Sequence, residues 1–244
     1  MLFASWIRSL RFSGGKSGQS GAKGRRAQRR GAARRGSSPR PCVEALEDRW
    51  APAAGALDPT FGTDGKVTTD FAGGTDSLQD MVAYQADGKL VAVGLGGGAK
   101  VVRYHVDGSL DTTFGGDGKV TFLIGGLGFT NVVGGVAVDS QGRIVIVGAG
   151  SNPSVFGGFD LAVTRLTADG ALDITFDSDG HQTIDFGGGF DEARDVAIDP
   201  QGRIVVLGST RIAGGTDNDF GVVRLTADGA LDSSFDADGK QTLD

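Results

Sequence analysis

The stretch LTADGALDITFDSDG, residues 166–180, decides the fold, because variants of it occur four times in the chain. Its Leu-Asp-x-Thr/Ser-Phe kernel reads Leu57-Asp58-Pro59-Thr60-Phe61, then Leu110 to Phe114, Leu172 to Phe176 and Leu231 to Phe235. Self-similarity at a fixed period is the mark of a repeat architecture. A second landmark alternates with the kernel: QADGKLVAVG at 85–94, SQGRIVIVG at 140–148 and PQGRIVVLG at 200–208. Asp87-Gly88, Gln141-Gly142 and Gln201-Gly202 place glycine where φ is free to be positive, and β-branched runs follow, so each reads as a tight turn feeding a strand.

Apolar runs upstream of these turns (MVAY, VAVD, VAID) make each turn a hairpin. A third strand holds VVRY, AVTRL and VVRL, and a fourth begins at Lys66, Lys119, His181 and Lys240. Four short strands meandering through Gly-rich turns form the blade of a β-propeller. The sequence therefore predicts an all-β chain of about three four-stranded blades plus one extra strand at 66–71. The repeats divide as 57–109, 110–171, 172–230 and a partial 231–244. From kernel Phe to hairpin-end Gly the spacing is 33, 34 and 32 residues, but from that Gly to the next Phe it is 20, 28 and 27. The variation falls in one loop, at 151–160 and 210–219, and inserts of this kind map to one face of a repeat protein.

Charge splits the chain in two. Residues 1–54 carry twelve Lys/Arg and three Asp/Glu, leaving twelve basic and twenty-seven acidic groups in 55–244. The leader has no apolar block long enough for a span or a secretory h-region, and its composition predicts a disordered basic arm. Its arginines lack interleaved aromatics, which argues against a specific nucleic-acid site. The single Cys42 excludes an intrachain disulfide.

The sixty-residue period, the LDxTF kernels, the hairpins and the DLAVTRL and DFGVVRL strands at Asp160 and Asp219 resemble the delta-sixty repeat family, which implies bacterial β-propellers and no settled activity. Val43, Glu44, Leu46, Glu47, Arg49, Pro52 and Ala53 resemble a sorting leader of large exported bacterial proteins, which implies an extracellular or cell-surface setting.

Arg103, Arg165 and Arg224 stand at one place in otherwise apolar strands, each eight residues before a kernel aspartate: Asp111, Asp173 and Asp232. An unpaired buried guanidinium is costly, so the sequence predicts three structural Arg–Asp pairs in preference to an arginine-lined channel for an anion. Asp-x-Asp-Gly at 177–180 and 236–239 reads as turn, since Thr175 and Phe186 stand where a calcium loop needs acids. A looser calcium site is conceivable at Asp76, Asp80, Asp191 and Asp195, before the inner strands; no other cofactor is expected. His105 and His181 read as exposed strand-end substitutions. No G-x-S-x-G, H-E-x-x-H or P-loop occurs.

The expectation is a non-enzymatic binding or structural module, taking a protein or glycan on the loops 151–160 and 210–219 and self-associating to close the propeller. The alternative is a propeller hydrolase of lactonase type, using acidic residues and a metal at the channel mouth. Converging carboxylates would favour it.

Overall fold

A computed structural model describes residues 55–72, 76–85, 87–126, 132–151, 158–211 and 217–243. The basic leader, with its sorting-type segment, lies outside the described residues. Of residues 80–84, Asp80 included, only the backbone is described.

Among the described residues, twelve strands form three antiparallel sheets, each in sequence order. The first holds β1 (Ser77–Tyr84), β2 (Leu90–Leu95), β3 (Ala99–Tyr104) and β4 (Lys119–Phe122). The second holds β5 (Val132–Val138), β6 (Ile144–Ser151), β7 (Phe159–Leu166) and β8 (His181–Ile184). The third holds β9 (Glu192–Ile198), β10 (Ile204–Thr210), β11 (Asp219–Leu225) and β12 (Lys240–Leu243). This is the blade plan read from the sequence, with each fourth strand following the kernel. Residues 66–71 differ: Lys66 makes one parallel bridge to Gly62, and no ladder forms there.

The sheets stack face to face, which explains why β6 is apolar on both sides. Ile144 and Ile146 pack into a core shared with Val91, Val93, Ala99 and Val101 of the first blade. Val145 and Val147 turn the other way, into a core with Val196, Ile204, Val206 and Val223 of the third. Alternate residues of one strand thus glue two neighbours, and the strand reads as a continuous hydrophobic run.

Each inner strand carries a register shift opposite the hairpin-end glycine, at Leu78/Met81, Val133/Gly135 and Ala193/Asp195. The bulge drives a carbonyl inward. A Cβ on Gly148 would sit 1.7 Å from the Val132 carbonyl oxygen, so only glycine fits.

The kernel is a clamp. Asp173 Oδ1 accepts from Thr175 N and Oγ1 at 3.1 and 2.6 Å, and Asp173 Oδ2 accepts from Arg165 Nε at 2.7 Å. Arg165 lies over the Phe176 ring, 4.8 Å from its centroid, and Arg165 Nη1 donates to the carbonyl of Ala227 in the next repeat. Arg103, Asp111, Thr113 and Phe114 repeat this geometry, with Nη1 on the carbonyl of Ala168. Arg224 and Asp232 repeat the ion pair at 2.7 Å. Each residue of the LDxTF kernel beyond its variable third position has a contact to make. The arginines are held by turn aspartates.

Candidate functional site

The kernel turns and the β1–β2-type hairpins lie at one end of the strands. The opposite end carries the variable second-to-third strand loops and the connections from one blade to the next. Three carboxylates meet there. Asp160 lies at the start of β7, Asp185 follows the last residue of β8, and Asp191 precedes β9; one oxygen from each lies within 4.8 Å of the others.

Backbone contacts bring them together. Leu161 pairs with Ile184, which sets Asp160 beside Asp185. Asp191 N donates to the Phe159 carbonyl at 2.7 Å, a parallel bridge joins Phe159 to Phe190, and their rings pack at 4.9 Å. The third blade is thereby anchored to the start of β7.

The carboxylates are held in fixed orientations. Asp191 is fully buried; its Oδ2 accepts from Phe186 N at 2.8 Å, and its Oδ1 accepts from Thr210 Oγ1 and from Arg211 N at 3.2 Å. Asp185 Oδ1 accepts from Gly188 N and Gly187 N at 2.6 and 2.8 Å. These backbone donors, with the Lys240 charge, outweigh desolvation and hold the Asp185 carboxyl below its usual range. Burial grades from Asp191 through half-buried Asp160 to exposed Asp185, so the cluster opens to solvent on one side. Both variable loops reach it: Asp160 ends one, and Thr210 and Arg211 begin the other.

The first blade offers an internal comparison. Asp76 occupies the place of Asp191, and its Oδ2 likewise accepts from the following-turn amide, Phe71 N, at 3.0 Å. Its Oδ1, however, takes the ammonium of Lys100. The residue corresponding to Lys100 in the third blade is Gly221, and a hydroxyl from Thr210 stands in for the cation. In one blade Lys100 sits against the aspartate; in the other, among the described residues, a hydroxyl takes that place and three acids gather.

Of the three calcium candidates whose side chains are described, Asp76, Asp191 and Asp195, the structure places only Asp191 in a cluster; the Asp80 side chain lies outside the described residues. Asp76 is tied to Lys100, and exposed Asp195 accepts from the amide of Val196. Asp160 and Asp185 were not among those candidates. The signal available was their recurrence: Asp160 matches Asp219, and Asp185 matches Asp70 and Asp244. His181 is also corrected. It is half-buried, its Nδ1 is 2.9 Å from Thr164 Oγ1, and burial lowers its pKa against the pull of Asp179.

Residues 85–114, 140–176 and 200–235 match a family model described as a domain of unknown function (DUF5122) beta-propeller. The chain is a β-propeller repeat protein. No curated protein sequence matches it. Among solved structures it resembles a gluconolactonase from Xanthomonas campestris, at 20% identity and TM-score 0.36, over 67% of this chain and 46% of that one. It also resembles a proposed oxidoreductase (glucose dehydrogenase) from Thermus thermophilus, at 14% identity and TM-score 0.37, over 64% and 46%. A protein of unknown function from Bacteroides caccae aligns at 10% identity and TM-score 0.34, over 66% and 65%. The propeller chain spans about half the length of the first two, and at these identities the likeness is one of fold.

The geometry of this end of the strands corrects the expectation of a non-enzymatic binding or structural module in favour of its alternative. The carboxylate convergence that a hydrolase reading needs is present at Asp160, Asp185 and Asp191.

Proposed function

We propose that this chain forms part of a metal-assisted hydrolase acting on a small ester or lactone, with Asp160, Asp185 and Asp191 as the ligands of a divalent cation. The observation that carries this reading is the contrast between the two aspartates of matching place: Asp76 is answered by Lys100, whereas Asp191 meets two further carboxylates and, among the described residues, no lysine.

The donor set fits a hard cation. Carboxylate oxygens select calcium, magnesium or manganese over softer metals, and calcium tolerates irregular oxygen cages. A bound cation of this kind polarises a substrate carbonyl and lowers the pKa of a coordinated water. The chain's own residues do the positioning. Phe186 N, Thr210 Oγ1 and Arg211 N fix Asp191, and the Gly187 and Gly188 amides fix Asp185 and hold it ionised. The exposed side at Asp185 is where a substrate carbonyl would enter, between the ends of the two variable loops. The spacing of the kernels supports a delta-sixty assignment within the propeller repeats, and the 43–53 segment supports export to the cell surface.

The test is hydrolysis of aliphatic and sugar-acid lactones followed by acid release, with calcium, magnesium or manganese supplied in turn. The account expects activity that chelation removes and that Asp191→Asn and Asp160→Asn abolish. Turnover unaffected by chelator, or no turnover with any of these ions, contradicts it.

A further inference from the structure

The third blade presents an apolar face that its neighbours bury. Leu207, Phe220 and Leu243 are 47%, 75% and 51% exposed, whereas their counterparts in the second blade, Val147, Leu161 and Ile184, are 0%, 1% and 3% exposed under the next sheet. What covers such a face is visible within this chain: the front of another blade.

The front of the first blade holds a cleft whose floor, Ala92 and Val102, residues 66–71 already cover in part. The cleft has a volume of about 310 Å³ and is lined by Val67, Phe71, Leu78, Ala92, Val102 and Tyr104. Residues 66–71 correspond to β4, β8 and β12, which each pair with a third strand; 66–71 pair with none among the described residues. Their kernel is also incomplete. The Asp58 carboxylate accepts from Thr60, at 2.9 and 2.6 Å, and faces no arginine among the described residues, whereas Asp111, Asp173 and Asp232 each hold one. Gly62 N is nevertheless already latched to the Asp107 carbonyl at 2.7 Å, as Gly115 N is to Asp169 and Asp177 N to Asp228. The kernel and edge strand at 57–71 are therefore in place on the first blade, and what they lack is the rest of a sheet.

We infer that the occupant of this cleft is the third blade of a second copy of this chain, joined by exchange of the edge strand. Strand β11 of one copy pairs with residues 66–71 of the other, and Arg224 passes from Asp232 of its own chain to Asp58 of the second copy. Residues 231–243 yield, and nothing else has to move. The exchange is like for like in strand pairing and ion pairing: 66–71 and β12 both begin with Lys and follow the same kernel. What is gained is burial of the face at Leu207 and Phe220 against Ala92, Val102 and Tyr104, the contact already made twice inside the chain. Done reciprocally, it closes three sheets from each copy into one ring of six. Unlike the metal reading, this inference makes no use of the carboxylate cluster.

Two homologous aspartates give the test opposite signs. The full chain is taken through sedimentation equilibrium at micromolar concentration, with circular dichroism on each variant. Wild type is expected at twice the 25.0 kDa chain mass. Asp58→Ala should weaken the dimer by about tenfold, and Asp232→Ala, which removes the competitor for Arg224, should tighten it by about tenfold. Leu207→Glu should give a folded monomer. A folded wild-type monomer throughout the range overturns the inference. So does a dimer that ignores Leu207→Glu, or one on which the two aspartates act with the same sign or not at all.

Discussion

Arg165 Nε donates to Asp173 Oδ2 at 2.7 Å while its Nη1 holds the Ala227 carbonyl, so one guanidinium ties the turn of its own blade to the turn of the next. Its side chain is only 2% exposed, and burial lowers its pKa, with Arg143 adding to the effect and Asp173 opposing it. A charge so placed is tolerable only with its partner present. Asp173→Asn should therefore cost about 3 kcal/mol in urea unfolding, the range for breaking a buried pair. Asp232→Asn, whose partner Arg224 is 18% exposed, should cost clearly less. Equal losses would mean that burial does not set the strength of these clamps.

Gly148 tests the bulge geometry. Gly148→Ala, with its Cβ 1.7 Å from the Val132 oxygen, should destabilise by about 3 kcal/mol, at the upper end for overpacking. Gly150→Ala, whose Cβ would meet Ala162 at an ordinary 3.4 Å, should change stability by under about 0.5 kcal/mol. Thermal unfolding of the two variants separates tight carbonyl approach from general loss of backbone freedom.

Acid should act in two steps. Burial lowers the His181 pKa from 6.5, so as pH falls below that value the unfolded chain takes up the proton first and stability declines until the folded imidazole titrates. His181→Gln should remove this first step. Burial raises the Asp111 and Asp173 carboxyls, but hydrogen bonds from Thr113 and Thr175, with Lys89 and Arg103 on Asp111 and Arg165 on Asp173, outweigh it, and both lie below 3.8. Their stabilisation is complete above the unfolded value and is lost as pH falls through the lower folded values. Urea midpoints between neutral pH and pH 3 check both steps.

The blade plan could be read from the sequence because its causes are local. Positive-φ glycines such as Gly142 and Gly202, β-branched strands and the Asp-x-Thr turn recur at fixed spacing, and each reports on residues a few positions away. The Arg–Asp spacing of eight was legible for the same reason. The carboxylate cluster was harder to read, since Asp160, Asp185 and Asp191 come from a strand start, a strand end and the next blade. Only the pairing of β7 with β8 and the Phe159–Phe190 bridge bring them together. Asp76 and Asp191 stand at one place in their repeats, but Lys100, twenty-four residues further on in a strand that otherwise reads as core, answers the first.

Gly221→Lys turns that difference into an experiment. A Cβ there would lie 3.3 Å from Thr210 Cγ2 and 3.4 Å from Phe186 Cζ, so the side chain fits with a small adjustment. The variant should reproduce the Lys100–Asp76 pair on Asp191, keep its melting temperature within a few degrees, and lose any calcium-induced rise. A calcium response equal to that of wild type would show that the built-in cation and the proposed ion do not compete.

Calcium titration by isothermal calorimetry tests the central claim most directly. The account predicts one ion per chain with a dissociation constant of about 10⁻⁴ M, as expected for a partly exposed three-carboxylate site, and loss of that heat in Asp191→Asn and Asp185→Asn. A folded wild-type chain that gives no saturable heat with calcium, magnesium or manganese, or one whose binding survives both substitutions, would contradict it.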